Sequence, residues 1–117
     1  MDAPEIRRGE IYFEDVSRYG GALQKVRPVL VVQNDAGNRY SADVVVVAIR
    51  DARRERMLPV FVPVRKGAAG LAKDSIVDTA YLSTIPKTNL RWRLGVMSSD
   101  IMERVDRALH ISLGLKS

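Results

Sequence analysis

Apolar and polar residues are arranged in four short runs that are typical of β-strands. Each run is rich in β-branched or aromatic residues, and turn-forming sequences such as GG, NDAGN and KGAAG lie between the runs. We therefore predict several short strands in a small antiparallel barrel or sandwich. The four runs are Gly9–Asp15, Arg27–Gln33, Ala42–Ile49 and Met57–Val64.

The fourth run contains two prolines, Pro59 and Pro63, which lie four positions apart. Proline has no amide hydrogen to donate to a neighbouring strand, and residues an even number of positions apart present the same backbone edge. We expect this run to lie at an edge of the sheet or to pair on one side alone.

The C-terminal sequence SSDIMERVDRALHISLGL has apolar residues at helical spacing. Asp100 and Glu103 are predicted to form a capping box that opens the helix, and Gly114 to end it. His110 falls on the polar face of this helix. We interpret it as a surface residue and not as a catalytic base or a metal ligand.

The length of 117 residues predicts one domain that covers residues 1–117. The absence of cysteine and the single histidine exclude a disulfide scaffold, a thiolate metal site and a histidine-rich metal site. We expect neither a metal nor another cofactor. The longest apolar run, Val44–Ile49, is far shorter than the roughly 20 residues of a membrane-spanning helix. We expect a cytoplasmic protein that does not associate with a membrane.

The net charge of +5 is concentrated in one segment. Residues 50–66 contain six cations and two anions, whereas residues 1–49 contain six cations and seven anions. Such a segment attracts polyanions, and the expected signature is an affinity that falls with salt. An ordinary solvated loop can have the same composition, so charge alone leaves both interpretations open.

Six sequence blocks resemble successive blocks of the MazF/PemK toxin family in the family's order, from Arg7 to Leu115. They are RRGEIYFEDV, KVRPVLVVQNDAGNRYS, VVVVAI, GLAKDSIV, TIPK and MERVDRALHISLGL. The resemblance implies an SH3-like antiparallel β-barrel with a C-terminal α-helix, as in PemK-, CcdB- and Kid-like plasmid maintenance toxins, and a homodimer. It also implies the toxin of a type II toxin–antitoxin system, an mRNA interferase that cleaves single-stranded RNA at specific sequences without metal. A MazE-like antitoxin with an extended acidic segment is the expected inhibitor.

RNA supplies its own nucleophile for such a reaction, the 2′-OH, and the products are a 2′,3′-cyclic phosphate and a 5′-OH end. The protein must align the 2′-OH with phosphorus, move protons and stabilise charge on the phosphorane oxygens. Arg27 matches the family's catalytic arginine, and Pro28 restricts it to extended geometry. Because the pKa of arginine lies above about 12, we assign Arg27 to phosphate stabilisation and proton donation, not to the role of base.

Three positions depart from the family pattern. Arg50 stands where the family usually has a threonine or serine hydroxyl, Ala80 replaces a frequent acidic residue, and Tyr81 replaces a frequent glutamine. We predict that Arg50 grips the scissile phosphate together with Arg27. The alternative is that Arg50 marks a catalytically silent or weak toxin that still binds RNA.

The remaining candidates are a carboxylate and a set of RNA-binding residues. Asp78 is a candidate catalytic carboxylate, because one branch of the family uses a carboxylate from this region; a solvated aspartate at a strand end is the alternative. Tyr81 is predicted to stack on a base, or else to pack half-buried in the barrel. The predicted RNA-binding residues are Lys25, Asn34, Asp35, Arg53, Arg54, Arg56 and Tyr81.

Two further interpretations remain open. Asn34 and Asp35 match the family's groove edge but are also common turn-formers, and residues 17–26 have the composition of a mobile flap. A non-enzymatic toxin that binds a protein target, such as a topoisomerase, is the alternative to an RNA-cleaving one.

Overall fold

The computed structural model describes residues 5–17 and 26–116, and within them it contains six β-strands and two α-helices. None of the helices in this part of the chain is long and apolar enough to cross a lipid bilayer. In chain order the elements are β1 (Glu10–Asp15), β2 (Val26–Val31), α1 (Asp35–Tyr40), β3 (Asp43–Asp51), β4 (Phe61–Val64), β5 (Ser75–Pro86), β6 (Leu90–Val96) and α2 (Ser99–Ser112).

The six strands form one antiparallel sheet in the order β4-β5-β3-β2-β1-β6. The prediction of a mainly β chain with a C-terminal helix is confirmed. In the described residues β4 pairs only with β5, so the expected edge position of the proline-containing run is also confirmed. In the described residues, hydrogen bonds do not join the two end strands, β4 and β6. The predicted barrel is therefore not closed by hydrogen bonds.

The run of valines in β3 is explained by burial on both faces of the sheet. Val44 and Val46 belong to one apolar cluster, which includes Tyr12 of β1, whereas Val47 and Ile49 belong to a second cluster. Val105 and Ala108 of α2 pack into the second cluster, so the helix covers one face of the sheet. A strand buried on both faces needs apolar residues at successive positions, and the alternating pattern of a half-exposed strand is lost.

Several elements differ from the prediction. The fourth run is a strand only over Phe61–Val64, and the NDAGN sequence, read as a turn, forms α1. Asn34 is the N-cap of that helix, because its side chain accepts a hydrogen bond of 2.8 Å from the amide of Gly37. The pattern analysis also missed β6, although apolar residues and arginines alternate over its first five positions.

The start of α2 was predicted wrongly and its end correctly. The N-cap is Ser98, whose Oγ accepts a hydrogen bond of 3.3 Å from the amide of Ile101, and Asp100 lies inside the first turn. The predicted capping box of Asp100 and Glu103 is therefore not the device that opens the helix. Gly114 follows the helix with a left-handed φ of 64°, and His110 is exposed, as expected.

Candidate active site

Strands β2, β3 and β5 surround an open groove of about 450 Å³. Its walls include Arg27 and Arg50, which the prediction brought together as partners on the phosphate. A smaller hollow of about 180 Å³ shares Arg27, Ala48 and Tyr81 with it, so the two spaces adjoin. The larger space is lined by Arg27, Ala48, Ile49, Arg50 and Tyr81, and the smaller one by Glu14, Arg27, Val29, Ala48, Ala80, Tyr81, Leu82 and Ser83.

Strand register explains why these residues meet. Ala48 of β3 lies opposite Val29 of β2, and Arg27 is two residues before Val29 on the same face. Arg50 is two residues after Ala48 and faces the same side by the same period of two. The small side chain of Ala48 therefore leaves space between the two arginines.

A bulge in β5 exposes Tyr81. Val47 of β3 pairs with Leu82, but the next residue, Ala48, pairs with Asp78, so three residues of β5 are left without a partner on β3. The hydroxyl of Thr79 donates to the carbonyl of Val60 at 2.7 Å and holds the bulge in place. The side chain of Tyr81 is 69 % exposed beside the groove, so it is not half-buried barrel packing.

Arg27 is the second residue of strand β2 and is extended, as the following proline predicts. Its side chain is exposed and lines both the groove and the smaller hollow. Its cross-strand partner on β1 is Glu14, which is buried, with 5 % of its surface exposed. Arg27 and Glu14 are therefore cross-strand neighbours on the face that lines the site.

Arg50 is already engaged within the chain. Its Nη1 and Nη2 donate to the two carboxylate oxygens of Glu55 at 2.8 and 2.6 Å, and its guanidinium carbon lies 4.9 Å from the ring centre of Phe61. These hydrogen bonds, which Glu55 accepts, raise the pKa of Arg50 and lower the pKa of Glu55. The pair of guanidinium N–H donors that could bind a phosphate is therefore occupied by a carboxylate.

Asp78 is buried next to Arg50, with 3 % of its surface exposed, and is not a solvated residue at a strand end. Its Oδ2 lies 3.6 Å from Nε of Arg50, and its Oδ1 accepts a hydrogen bond of 3.0 Å from the amide of Ala80. Arg50 thus contacts two carboxylates, Glu55 and Asp78. This cluster of one cation and two anions has no net positive charge.

Among the described residues, the other predicted RNA-binding residues do not line the groove. Asn34 caps α1, and Asp35 accepts hydrogen bonds from the amide of Arg8 at 2.7 Å and from Asn38 at 3.1 Å. The bond from the Arg8 amide is the main reason that the pKa of Asp35 is lowered. Exposed arginines occupy the segment between β3 and β4, namely Arg53, Arg54 and Arg56. Lys25 and most of the predicted flap lie outside the described residues.

The sequence analysis missed Glu14, Glu55 and Phe61. Glu55 is one of only two anions in residues 50–66, and that isolation inside a cationic segment is a signal for a specific partner. Glu14 and Phe61 carried no such signal, because their place beside the arginines depends on strand register. Across residues 5–17 and 26–116, no three histidine, aspartate or glutamate side chains lie close enough to hold a metal ion.

The comparison with known families decides what kind of protein carries this groove. Residues 7–113 match the family of PemK-like, MazF-like toxins of type II toxin–antitoxin systems. The chain belongs to this family. Among curated relatives, an endoribonuclease MazF from Staphylococcus epidermidis is 42 % identical over 113 residues, which cover 96 % of this chain and 94 % of that protein.

Solved structures of MazF-like toxins share the fold. A mycobacterial endoribonuclease, solved in complex with its cognate antitoxin, has a TM-score of 0.80 and 32 % identity over 98 % of this chain and 99 % of its own. A MazE–MazF structure from Deinococcus radiodurans has a TM-score of 0.77 at 16 % identity, over 97 % of this chain and 100 % of its own. The expected toxin fold is therefore confirmed. Within the toxin family, the groove described above is the natural candidate for the active site.

Proposed function

We propose that this toxin is an endoribonuclease that cleaves single-stranded RNA at specific sequences, without a metal ion, in the cytoplasm. The groove carries the proposal: Arg27 stands on its wall, Ala48 leaves room beside it, and Tyr81 projects next to both. The identity of 42 % to an endoribonuclease MazF supports the same activity. We place that activity in a single toxin domain that spans residues 1–117.

In the proposed reaction the 2′-oxygen attacks the adjacent phosphorus, and the bond to the 5′-oxygen breaks. Arg27 binds the non-bridging oxygens with its planar guanidinium and stabilises the negative charge that develops on them. It also donates a proton toward the departing 5′-oxygen. Tyr81 stacks on a base next to the scissile bond and fixes the orientation of the strand.

Arg50 has a conditional role in this mechanism. Its fork holds Glu55 through two hydrogen bonds, so an RNA phosphate reaches it only by displacing that carboxylate. Asp78 stays against Nε and keeps the guanidinium beside the groove. We propose that the phosphate takes the place of Glu55, and that Arg50 then donates to the phosphate together with Arg27.

A toxin that binds RNA but cuts it poorly is the second candidate. The observation in its favour is that Arg50 stands at the position of the family's hydroxyl and is neutralised by two carboxylates. In that case Arg27 and Tyr81 hold RNA in the groove, but the phosphorane lacks a second donor.

The proposed partners are a second copy of the chain and an antitoxin. At the C-terminal end three apolar side chains are more than half exposed, which offers a surface for a homodimer: Ile111, Leu113 and Leu115. A MazE-like antitoxin with an extended acidic segment is expected to bind Arg27 and the cationic segment of residues 50–66, and so to compete with RNA.

The activity is tested with purified protein and a long RNA in the presence of EDTA, with cleavage ends mapped by primer extension. We expect cuts at discrete sites and 5′-OH ends, which polynucleotide kinase labels without prior phosphatase treatment. Strict dependence on magnesium, or 5′-phosphate ends, contradicts the proposed mechanism. RNA binding at micromolar protein without any cut supports the second candidate.

A further inference from the structure

The groove contains a carboxylate to which the mechanism above gives no role. Glu14 lies on β1 directly opposite Arg27 on β2, and both side chains line the smaller hollow of the site. Residues paired in this way on an antiparallel sheet share a face, with Cβ atoms about 5 Å apart. Glu14 is therefore the cross-strand neighbour of the arginine that the mechanism sets on the phosphate.

The chemistry needs a base at that distance from the phosphate-binding cation. At the start of the attack the 2′-oxygen is about 3–3.5 Å from phosphorus, so the group that removes its proton must be a close neighbour of the group that holds the phosphate. A cross-strand pair provides that spacing on a rigid scaffold. Arg27 is protonated when the attack begins, so it is a poor base for the 2′-OH.

The other carboxylates near the groove, Glu55 and Asp78, lie beside Arg50. Both oxygens of Glu55 accept from Arg50, and this lowers the pKa of Glu55 and weakens it as a base. Asp78 accepts from the amide of Ala80 and contacts Nε of Arg50. Both lie on the Arg50 side of Ala48, whereas Glu14 lies on the Arg27 side.

We propose that Glu14 is the general base of the RNA cleavage, an assignment that rests on the function proposed above. The Glu14 carboxylate takes the proton from the 2′-OH as the bond between the 2′-oxygen and phosphorus forms. The bond between phosphorus and the 5′-oxygen breaks, and Arg27 supplies a proton to that oxygen. Glu14 then releases its proton and Arg27 regains one from water, so protons balance and no oxidant or metal is needed.

The surroundings of Glu14 bear on the pH dependence of this step. Arg27 of β2 and Tyr81 of β5 line the same hollow as Glu14, and the residue paired with Glu14 on β6 is the apolar Leu90. Arg50 lines the adjoining space. The neighbouring Asp15 lies on the opposite face of β1 and bonds to Arg91, which makes Asp15 a matched control on the same strand.

The test compares Glu14→Gln, Glu14→Asp and the control Asp15→Asn with the wild type in EDTA. We measure kcat against pH on a cleavable RNA and Kd for the same sequence with a 2′-deoxy nucleotide at the scissile position. A general base contributes about 10²–10⁴ in rate. We expect Glu14→Gln to lose about that factor and the acid limb of the pH profile while it binds the deoxy RNA within a few-fold of wild type, and Asp15→Asn to retain both.

Each result separates the two proposals. If the wild type cuts and Glu14→Gln keeps kcat within about threefold with an unchanged acid limb, the base assignment is overturned and the endoribonuclease proposal stands. If the wild type leaves RNA intact, the endoribonuclease proposal fails and the base assignment fails with it. If Glu14→Gln does not fold, Glu14→Asp decides: a lower kcat with the acid limb retained supports the base, and an unchanged kcat overturns it.

Discussion

Glu55 holds the guanidinium of Arg50 through two hydrogen bonds of 2.6 and 2.8 Å. A carboxylate and a phosphate present oxygens to arginine in the same bidentate geometry. Glu55 therefore occupies the place on Arg50 that an RNA phosphate takes in the proposed complex. Binding of RNA at this arginine is then an exchange of one anion for another.

Removing the charge of Glu55 is expected to strengthen RNA binding. In Glu55→Gln the RNA phosphate no longer competes with a carboxylate, and we expect Kd for a 2′-deoxy-substituted RNA to fall about two- to fivefold at low salt. The matched control is Asp51→Asn, which removes a charge from the same segment but frees Lys73 and not Arg50. An equal gain in both variants shows a general charge effect and contradicts competition at Arg50.

Substitutions of Arg50 separate a working residue from a vestigial one. If Arg50 donates to the phosphorane, Arg50→Ala costs about 10²–10³ in single-turnover rate, as removal of one well-placed donor does elsewhere. Arg50→Thr restores the hydroxyl that the family usually has and is expected to be slower than wild type as well. If Arg50→Ala cleaves at the wild-type rate and Arg50→Thr cleaves faster, the two-arginine site is refuted. Because Arg50 also neutralises the buried Asp78, melting curves must accompany the rates.

Tyr81 is expected to act through its ring. Stacking on a base contributes about 1–3 kcal/mol, so Tyr81→Ala should weaken RNA binding by about fivefold to a hundredfold, while Tyr81→Phe retains it. Tyr40 is the matched control, because it is 79 % exposed on α1 and does not line the groove. Fluorescence anisotropy with a labelled RNA gives Kd for the wild type, Tyr81→Ala, Tyr81→Phe and the control Tyr40→Ala. Equal losses for Tyr81→Phe and Tyr81→Ala rule out stacking as the main contribution.

The stability of the fold is expected to fall at high pH because of Tyr12. Burial, with the charge of Glu10, raises the pKa of Tyr12 from 10.0 to about 12. The folded state keeps this proton where the unfolded state loses it, so the stabilising contribution is complete below pH 10 and is lost as the pH rises to about 12. Urea unfolding across this range should show a smaller decrease for Tyr12→Phe than for wild type. If the free energy of unfolding falls equally with pH in both proteins, the raised pKa of Tyr12 is contradicted.

The sequence predicts those parts of the fold that depend on local pattern. The valines of β3, the edge position of Pro63 and the left-handed Gly114 follow from composition and period at each position. Strand β6 was missed although Arg91 and Arg93 alternate with apolar residues as in a half-buried strand, and nothing in the sequence indicated that they pair with Asp15 and Glu10. Those pairings join residues far apart in the chain, and pattern analysis does not detect them.

In the candidate site, too, the sequence predicts the local features and not the contacts between distant residues. Arg27 was found from its block and from Pro28, which are local features, and Arg50 from its place after the valine strand. Their environments depend on register: the bulge between Asp78 and Leu82 exposes Tyr81, and the pairing of β1 with β2 brings Glu14 to Arg27. The contact of Glu55 with Arg50 depends on the path of the segment between β3 and β4, which a sequence of scattered charges does not specify.

Arg27 carries the central claim, and single-turnover cleavage by Arg27→Ala and Arg27→Lys in EDTA tests it most directly. Because the side chain is exposed, both variants are expected to melt as the wild type does. We expect Arg27→Ala to lose at least about a hundredfold in rate, and Arg27→Lys to lose nearly as much, because an ammonium lacks the bidentate fork. A rate within a few-fold of wild type for Arg27→Ala contradicts the account and removes Arg27 from the reaction.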